Sequence, residues 1–213
     1  MISALEALER LREGNRRFVS GVRNLDTFFS QPARRHFVAG QEPFAVILGC
    51  SDSRVPVEIV FDQGLGDLFV IRVAGNIVAP SQVGSVEFAA QRFGTPLVVV
   101  LGHTHCGAIE ATLDDLQHAT ELPSANLSSI VDRIRPSLEG LLATELRQDW
   151  DALTRHAVRA HVRVSAGYLR HGSKLLEQLI ERDQLTVIGA EYSLETGVVD
   201  FFDGLPPTSR CPG

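Results

Sequence analysis

The sequence predicts an α/β fold, a mostly parallel four-stranded sheet flanked by helices, and three observations predict it. Four short runs are continuously apolar and rich in β-branched residues, as strands covered on both faces are: "FAVILG" (44–49), "LFVIRVAG" (68–75), "PLVVVLG" (96–102) and "LTVIGAEY" (185–192). Helix-period stretches lie between and after them, and strands alternating with helices mean βαβ units. A length of 213 residues suits one sizeable hydrophobic core, so the chain is expected to be a single domain over 1–213, with an N-terminal helical arm (1–40) and an α/β core (41–213).

Taken in order, "LEALERLREGNRRFVSG" near the N-terminus is a charged amphipathic helix, without the apolar stretch of a secretory signal. After the first two strands, "SQVGSVEFAAQRFG" (81–94) is helical, and Gly94 with Thr95 and Pro96 stops it before the third strand. Further helices are read at 106–119, at 126–142, from about Asp149 through "HAVRAHVRVSAGYLRHG", and in "SKLLEQLIERD". Gly140 and Gly172 are candidate caps or breaks, and the tail "GVVDFFDG" (197–204) is a candidate antiparallel edge strand at the C-terminal end.

Composition narrows the function. No apolar run approaches a membrane span, and a cytoplasmic location is the expectation. The net charge is -6, and apart from "ARRHF" (33–37) the basic residues are scattered, so no stripe suits a phosphate backbone and nucleic acid is not an expected partner. Three cysteines, Cys50, Cys106 and Cys211, argue against a disulfide framework and leave metal binding or catalysis as their special uses. Cys211, near the chain end, is read as a loose thiol.

Two of the buried strands end alike, in a glycine followed at once by a metal-capable residue: Gly49 then Cys50, Gly102 then His103. Residues just past the carboxyl ends of parallel strands line the binding crevice of open α/β sheets. Cys50-x-Asp52 and His103-x-x-Cys106 would therefore meet there, offering two thiolates, one imidazole and one carboxylate to a tetrahedral Zn2+. Cys106 begins a helix, where the dipole and free N–H groups favour a thiolate, and Gly107 beside it lets backbone approach closely. Singly each half is weak; together they are a strong signal. A cysteine phosphatase loop is excluded because the position six after Cys50 is Pro56 and the arginine comes at Arg54. "GLGDLF" (64–69) is not a dinucleotide fingerprint, since Phe69 occupies the third glycine position and no helix follows.

"CSDSRVP", "FDQGLGDLFVIRVAGN", "GHTHCGAI" and the C-terminal "AVRAHVRVSAGYLRHGSKLLEQLIERDQLTVIGAEYSLETGVVDFF" resemble the β-class carbonic anhydrases across nearly the whole chain. The resemblance implies zinc held by Cys50, His103 and Cys106, and reversible hydration of carbon dioxide to bicarbonate by a zinc-held hydroxide oriented by Asp52 and Arg54. In the closed form of some members Asp52 itself takes the fourth metal position. It also implies a small substrate slot lined by Phe69, Ala74 and Phe88, with Gln41 reaching in from a neighbouring subunit and the Gly107 N–H as a further donor. Phe88 stands where many relatives carry tyrosine. The N-terminal helix would wrap over a partner subunit, giving a homodimer or a dimer of dimers. His105 could replace His103 as ligand, shuttle protons or face outward. The last two are favoured, because His103 directly follows the strand. His36, His118, His156, His161 and His171 are read as surface or packing residues. Hydrolysis of carbonyl sulfide or carbon disulfide on the same zinc core, and a non-enzymatic zinc or thiol sensor, are the alternatives.

Overall fold

The computed structural model describes residues 2–22, 40–118 and 124–205; "ARRHF", His36 and Cys211 lie outside them. Five strands form one sheet: β1 (Ala45–Gly49), β2 (Leu68–Arg72), β3 (Leu97–His103), β4 (Thr186–Tyr192) and β5 (Val199–Asp203), in the order β2-β1-β3-β4-β5. The first four are parallel, and β5 is the antiparallel edge strand of the C-terminal tail. From β1 the chain goes to β2 on one side, then crosses to β3 on the other. The sheet thus has a topological switch point between the carboxyl ends of β1 and β3, where α/β sheets open a crevice.

Side chains alternate across the two faces, as the pleat requires. Ala45, Ile47, Leu97, Val99 and Leu101 point to the face covered by α1 (Ala4–Ser20) and α2 (Val57–Val60). Val46, Leu48, Val98 and Val100 point to the other, under α3 (Pro80–Phe93), α7 (Trp150–His171) and α8 (Lys174–Glu181). A third apolar cluster gathers Cys50, Cys106, Ile109, Leu113, Ile134, Leu153 and Val158 at the carboxyl ends of β1 and β3, beneath α4 (Gly107–His118) and α5 (Ala125–Ile134). No helix among the described residues is long and apolar enough to cross a membrane.

Local chemistry sets the boundaries. Asp149, Ser173 and Ser124 cap α7, α8 and α5 by accepting from the N–H of Ala152, Leu176 and Leu127, and Gly94 ends α3 in the left-handed conformation at φ 65°. The helix expected over 126–142 is broken: α5 stops at Ile134, a 3-10 turn runs over Arg135–Ser137, and a short α6 follows at Glu139–Leu142. Pro136 has no N–H to give and its ring crowds the preceding turn. Gly140 lies inside α6 and not at a cap. The second strand stops at Arg72, shorter than its apolar run, because Ala74–Asn76 turns in 3-10 fashion with Gly75 at φ 66°.

The N-terminal helix, which the resemblance would lay over a partner subunit, has a seat in its own chain. Ala7, Leu8 and Leu11 are buried against the sheet. Asn15 donates to the Val60 carbonyl at 3.2 Å and the Gly197 carbonyl at 2.9 Å, and accepts from the Val199 N–H at 2.8 Å. Arg17 reaches Asp62 at 2.5 Å. Gly14 permits this closeness, since a Cβ there would lie 1.7 Å from the Phe61 carbonyl oxygen, whereas one at Gly84, on the outside of α3, would meet nothing within 4 Å.

Opposite effects follow from these two glycines. Gly14→Ala is expected to cost about 3 kcal/mol by pushing α1 off the sheet, whereas Gly84→Ala should gain up to about 1 kcal/mol of helix propensity. Urea denaturation midpoints at constant slope check both signs.

Candidate metal centre

The switch point is built by register. Gly49 pairs with Leu101, which sets Cys50 level with Gly102 and His103 one residue further along, at neighbouring strand ends. After β3 the chain turns over Thr104 and His105, and Cys106 accepts the first helical N–H groups, of Ile109 and Glu110, at 2.9 and 3.0 Å as it enters α4. One ligand atom from each of Cys50, His103 and Cys106 lies within 4.8 Å of the others, and all three residues are buried.

The donor set has the features of a metal site. The two sulfurs are 4.0 Å apart. The Cys106 thiol donates to Cys50 and, against the cost of burial, holds the Cys50 thiol well below the usual range, helped by His103 and the N–H groups of Asp52 and Gly75. That charge and the burial push Cys106 up, although N–H groups at the start of α4 pull the other way. Two thiolates so close need a cation between them to be ionised together. His103 Nδ1 lies 2.8 Å from the Thr104 carbonyl, which can only accept, so Nδ1 carries the proton and Nε2 presents a bare lone pair. Nε2 is a buried atom without any hydrogen-bond partner. Burial disfavours a charge on this imidazole, but the Cys50 sulfur and the Thr104 carbonyl outweigh it and raise its pKa. An orphaned imidazole nitrogen beside two sulfurs is an arrangement that a soft divalent ion satisfies and water does not.

Asp52 stands over this group, held away from it by Arg54. The guanidinium donates from Nε to Oδ1 at 2.9 Å and from Nη2 to Oδ2 at 2.6 Å, and the Arg54 N–H adds a third bond to Oδ1 at 2.9 Å. These donors hold the carboxyl well below the usual carboxylate range. Oδ2 still lies 3.9 Å from His103 Nε2, so the carboxylate faces the ligand group while bonded elsewhere. Arg54 is itself braced by the His105 carbonyl at 3.1 Å.

Of the remaining predicted residues, Ala74 and Gly107 lie at this end of the sheet, Ala74 beginning the turn at Gly75 and Gly107 opening α4, exposed. Gln41, Phe69 and Phe88 are not brought to the centre within one chain. Gln41 lines a groove at the amino ends of the strands with Ile2, Arg10, Phe44, Arg92 and Phe93. Phe69 pairs with Val46, three residues below Gly49, and so sits about 10 Å down the strand. Phe88, 54% exposed, joins Phe69 and Phe93 in an aromatic cluster between the edge strand and α3. His105 takes no part in the ligand group; it turns outward, with Nε2 2.7 Å from Glu195.

Sequence reasoning missed four residues here. Gly75 donates its N–H to the Cys50 sulfur at 3.3 Å. Arg72 ties down the loop after β1, donating to the carbonyls of Cys50 at 3.0 Å and Asp52 at 2.5 Å. Glu195 collects the hydroxyls of Thr104 and Ser193, each at 2.9 Å, together with His105, and its own N–H with these donors lowers its carboxyl to about 2. His161 bonds the Gly75 carbonyl from α7. The one advance signal was the glycine inside a strand-like run, which marks a bend or a close backbone approach.

Residues 45–199 match the family model described as carbonic anhydrase. Carbonic anhydrase 2 of Mycobacterium tuberculosis is 40% identical over 191 residues, covering 90% of this chain and 89% of that protein. The carbonic anhydrase of Mycolicibacterium smegmatis is 38% identical over 195 residues, covering 91% of each. Among solved structures, the β-carbonic anhydrase CcaA superposes with a TM-score of 0.74 at 25% identity, over 95% of this chain and 91% of that one. The β-carbonic anhydrase CafA of Aspergillus fumigatus does so with a TM-score of 0.70 at 28% identity, over 83% of each.

The Asp52–Arg54 geometry is open to titration. Removing the guanidinium with Arg54→Ala should raise the Asp52 carboxyl toward the ordinary value of about 3.9. Side-chain carboxyl 13C shifts followed against pH would show a midpoint near that value in the variant and only the ionised form above about pH 3 in the parent.

Proposed function

The chain belongs to the β-class carbonic anhydrases, lyases that interconvert carbon dioxide and bicarbonate, and from that membership we propose that its reaction centre is a zinc ion held by Cys50, His103 and Cys106 and served by Asp52 and Arg54. The observation that carries this reading is the buried, unpartnered Nε2 of His103 converging with the two cysteine sulfurs.

When bound, zinc supplies Lewis acidity toward water, the attacking group of a hydration. The chain's own residues then have distinct tasks. Cys50, His103 and Cys106 offer three ligands and leave a fourth position for reactants, which distinguishes a catalytic from a structural zinc site. Asp52 is ionised and acceptor-only, so it takes a hydrogen bond from the attacking oxygen and aims the oxygen's lone pair at carbon. Arg54 keeps the carboxylate in that posture through its two-pronged grip and prevents Asp52 from occupying the fourth position itself. Ala74 and the Gly107 N–H border the approach to the centre, an apolar wall and a donor suited to carbon dioxide and to bicarbonate.

The remaining pocket residues support an assembly. Gln41 and the Phe69–Phe88 cluster lie away from their own chain's centre, Gln41 and Phe88 exposed and Phe69 half-buried, which fits the reading that they complete the centre of a second copy in a homodimer or dimer of dimers. Carbon dioxide is favoured over carbonyl sulfide by the family match and the relatives at 40% and 38% identity, all of which bear the name carbonic anhydrase.

Three experiments test this. Asp52→Asn should lower kcat for hydration by about 100-fold or more while elemental analysis still finds one zinc per chain; unchanged turnover would refute the assigned role, and absence of zinc from the parent protein would refute the centre. Parallel assays on carbonyl sulfide should give the lower kcat/KM. Co-expressed Cys50→Ser and Gln41→Ala chains should recover activity that neither has alone, because mixed assemblies contain one complete centre; activity no greater than the sum of the parents would place Gln41 outside it.

A further inference from the structure

His161 is the one described histidine, apart from His103, that is buried: it is 2% exposed, on the inner face of α7 among Ala157, Val158, Val162 and Ala166. A histidine among such neighbours costs desolvation that a leucine would not, unless its polar atoms are used. They are used on the turn that touches the metal centre. Nε2 lies 2.8 Å from the Gly75 carbonyl, which can only accept, so Nε2 carries the proton; Nδ1 faces the Ser137 hydroxyl at 3.2 Å. Burial pushes the imidazole down to about 4, so it is neutral and its single N–H is committed to Gly75.

Gly75 is clasped from every side. Its φ is 66°, and a Cβ on it would lie 2.8 Å from Ile134 Cδ1 and 3.1 Å from the Ala108 Cβ. Its carbonyl is held by His161, the neighbouring Asn76 carbonyl receives the Ser165 hydroxyl at 3.4 Å, and its N–H donates to the Cys50 sulfur at 3.3 Å. An N–H donated to a thiolate draws charge from the sulfur and fixes its direction, as partners behind metal ligands do. Glycine has no side chain to restrict its φ and ψ, so the bonds and contacts around Gly75 set its direction, and the hold on its carbonyl restrains its amide.

We propose that His161 is a positioning residue for the metal centre: through the Gly75 turn it aims a backbone N–H at the Cys50 sulfur and so sets how strongly that thiolate holds the ion. The inference rests on the reading of Cys50, His103 and Cys106 as the ligands of a catalytic metal.

The test uses full-length protein loaded with Co(II), whose sulfur-to-metal charge-transfer band reports thiolate basicity. His161→Leu removes the donor at similar volume, while His161→Gln restores an N–H at the reach of Nε2. The Leu variant is expected to shift the band to longer wavelength and bind Co(II) about 10- to 100-fold more weakly in chelator competition, with the Gln variant returning both toward the parent. If the Leu variant does not fold, His161→Asn, whose shorter amide cannot reach Gly75, should show the same shift and weakening. A folded Leu or Asn variant with the parent's band and affinity overturns the inference, and so does a Gln variant as impaired as Leu, which would mark a packing role alone. A parent protein that takes up no Co(II) would overturn the ligand reading instead, which separates the two failures.

Discussion

Every property of the centre depends on the parallel, in-register pairing of β1 with β3. Side chains alternate along a strand, so a slip of one residue would turn Cys50 or His103 to the wrong face and bury alternate valines against the wrong helices. The strong apolar content of both strands fixes the register, because each face has its own helical cover to fill. The chemistry therefore inherits its precision from packing. Two strands that are apolar up to their carboxyl ends decide where three ligand atoms meet.

Much of this was legible in the sequence because it depends on patterns shorter than a strand or on identities that few contexts explain. The β-branched runs at 44–49, 96–102 and 185–192 found their strands almost to the residue, and the repeated glycine-then-ligand ending placed Cys50 and His103 at the same end of the sheet. What stayed hidden depends on contacts between distant segments. Apolar content carried the second strand on to residue 75; the glycine there hints at a bend, but that its N–H goes to a sulfur from another strand end depends on a distant segment. Pro136 broke a helix that the apolar spacing continued through. The seat of α1 turns on Gly14 and Asn15, whose roles appear only once Phe61, Gly197 and Val199 are in place. His161 looked like a packing residue because its partners, a carbonyl and a hydroxyl, carry no sequence mark.

The polar residues around the centre divide into those that grip side chains and those that grip backbone. Arg54 takes the Asp52 carboxylate, whereas Arg72 and His161 hold carbonyls and Glu195 ties Thr104, Ser193 and His105 together beside the ligand loop. Backbone grips matter because Cys50 and Cys106 sit just beyond the strands, where no ladder fixes the chain. Gly75, Asn76 and His105 there take positive φ values. Conformations that a chain seldom adopts are maintained by several independent bonds, so the ligand loops can be rigid without being regular.

Gly102 and Gly189 sit on neighbouring strands, and a Cβ on either would press into Val162, at 2.6 Å and 2.7 Å respectively. One valine on α7 thus occupies the space vacated by two missing side chains. This makes the three positions a single unit of inheritance: enlarging either glycine demands a smaller residue at 162, and shrinking the valine alone opens a void that neither backbone can close. Drift at this junction must travel through compensating pairs. In a collection of descendants of this sequence, variation at 162 should be readable from the occupants of 102 and 189.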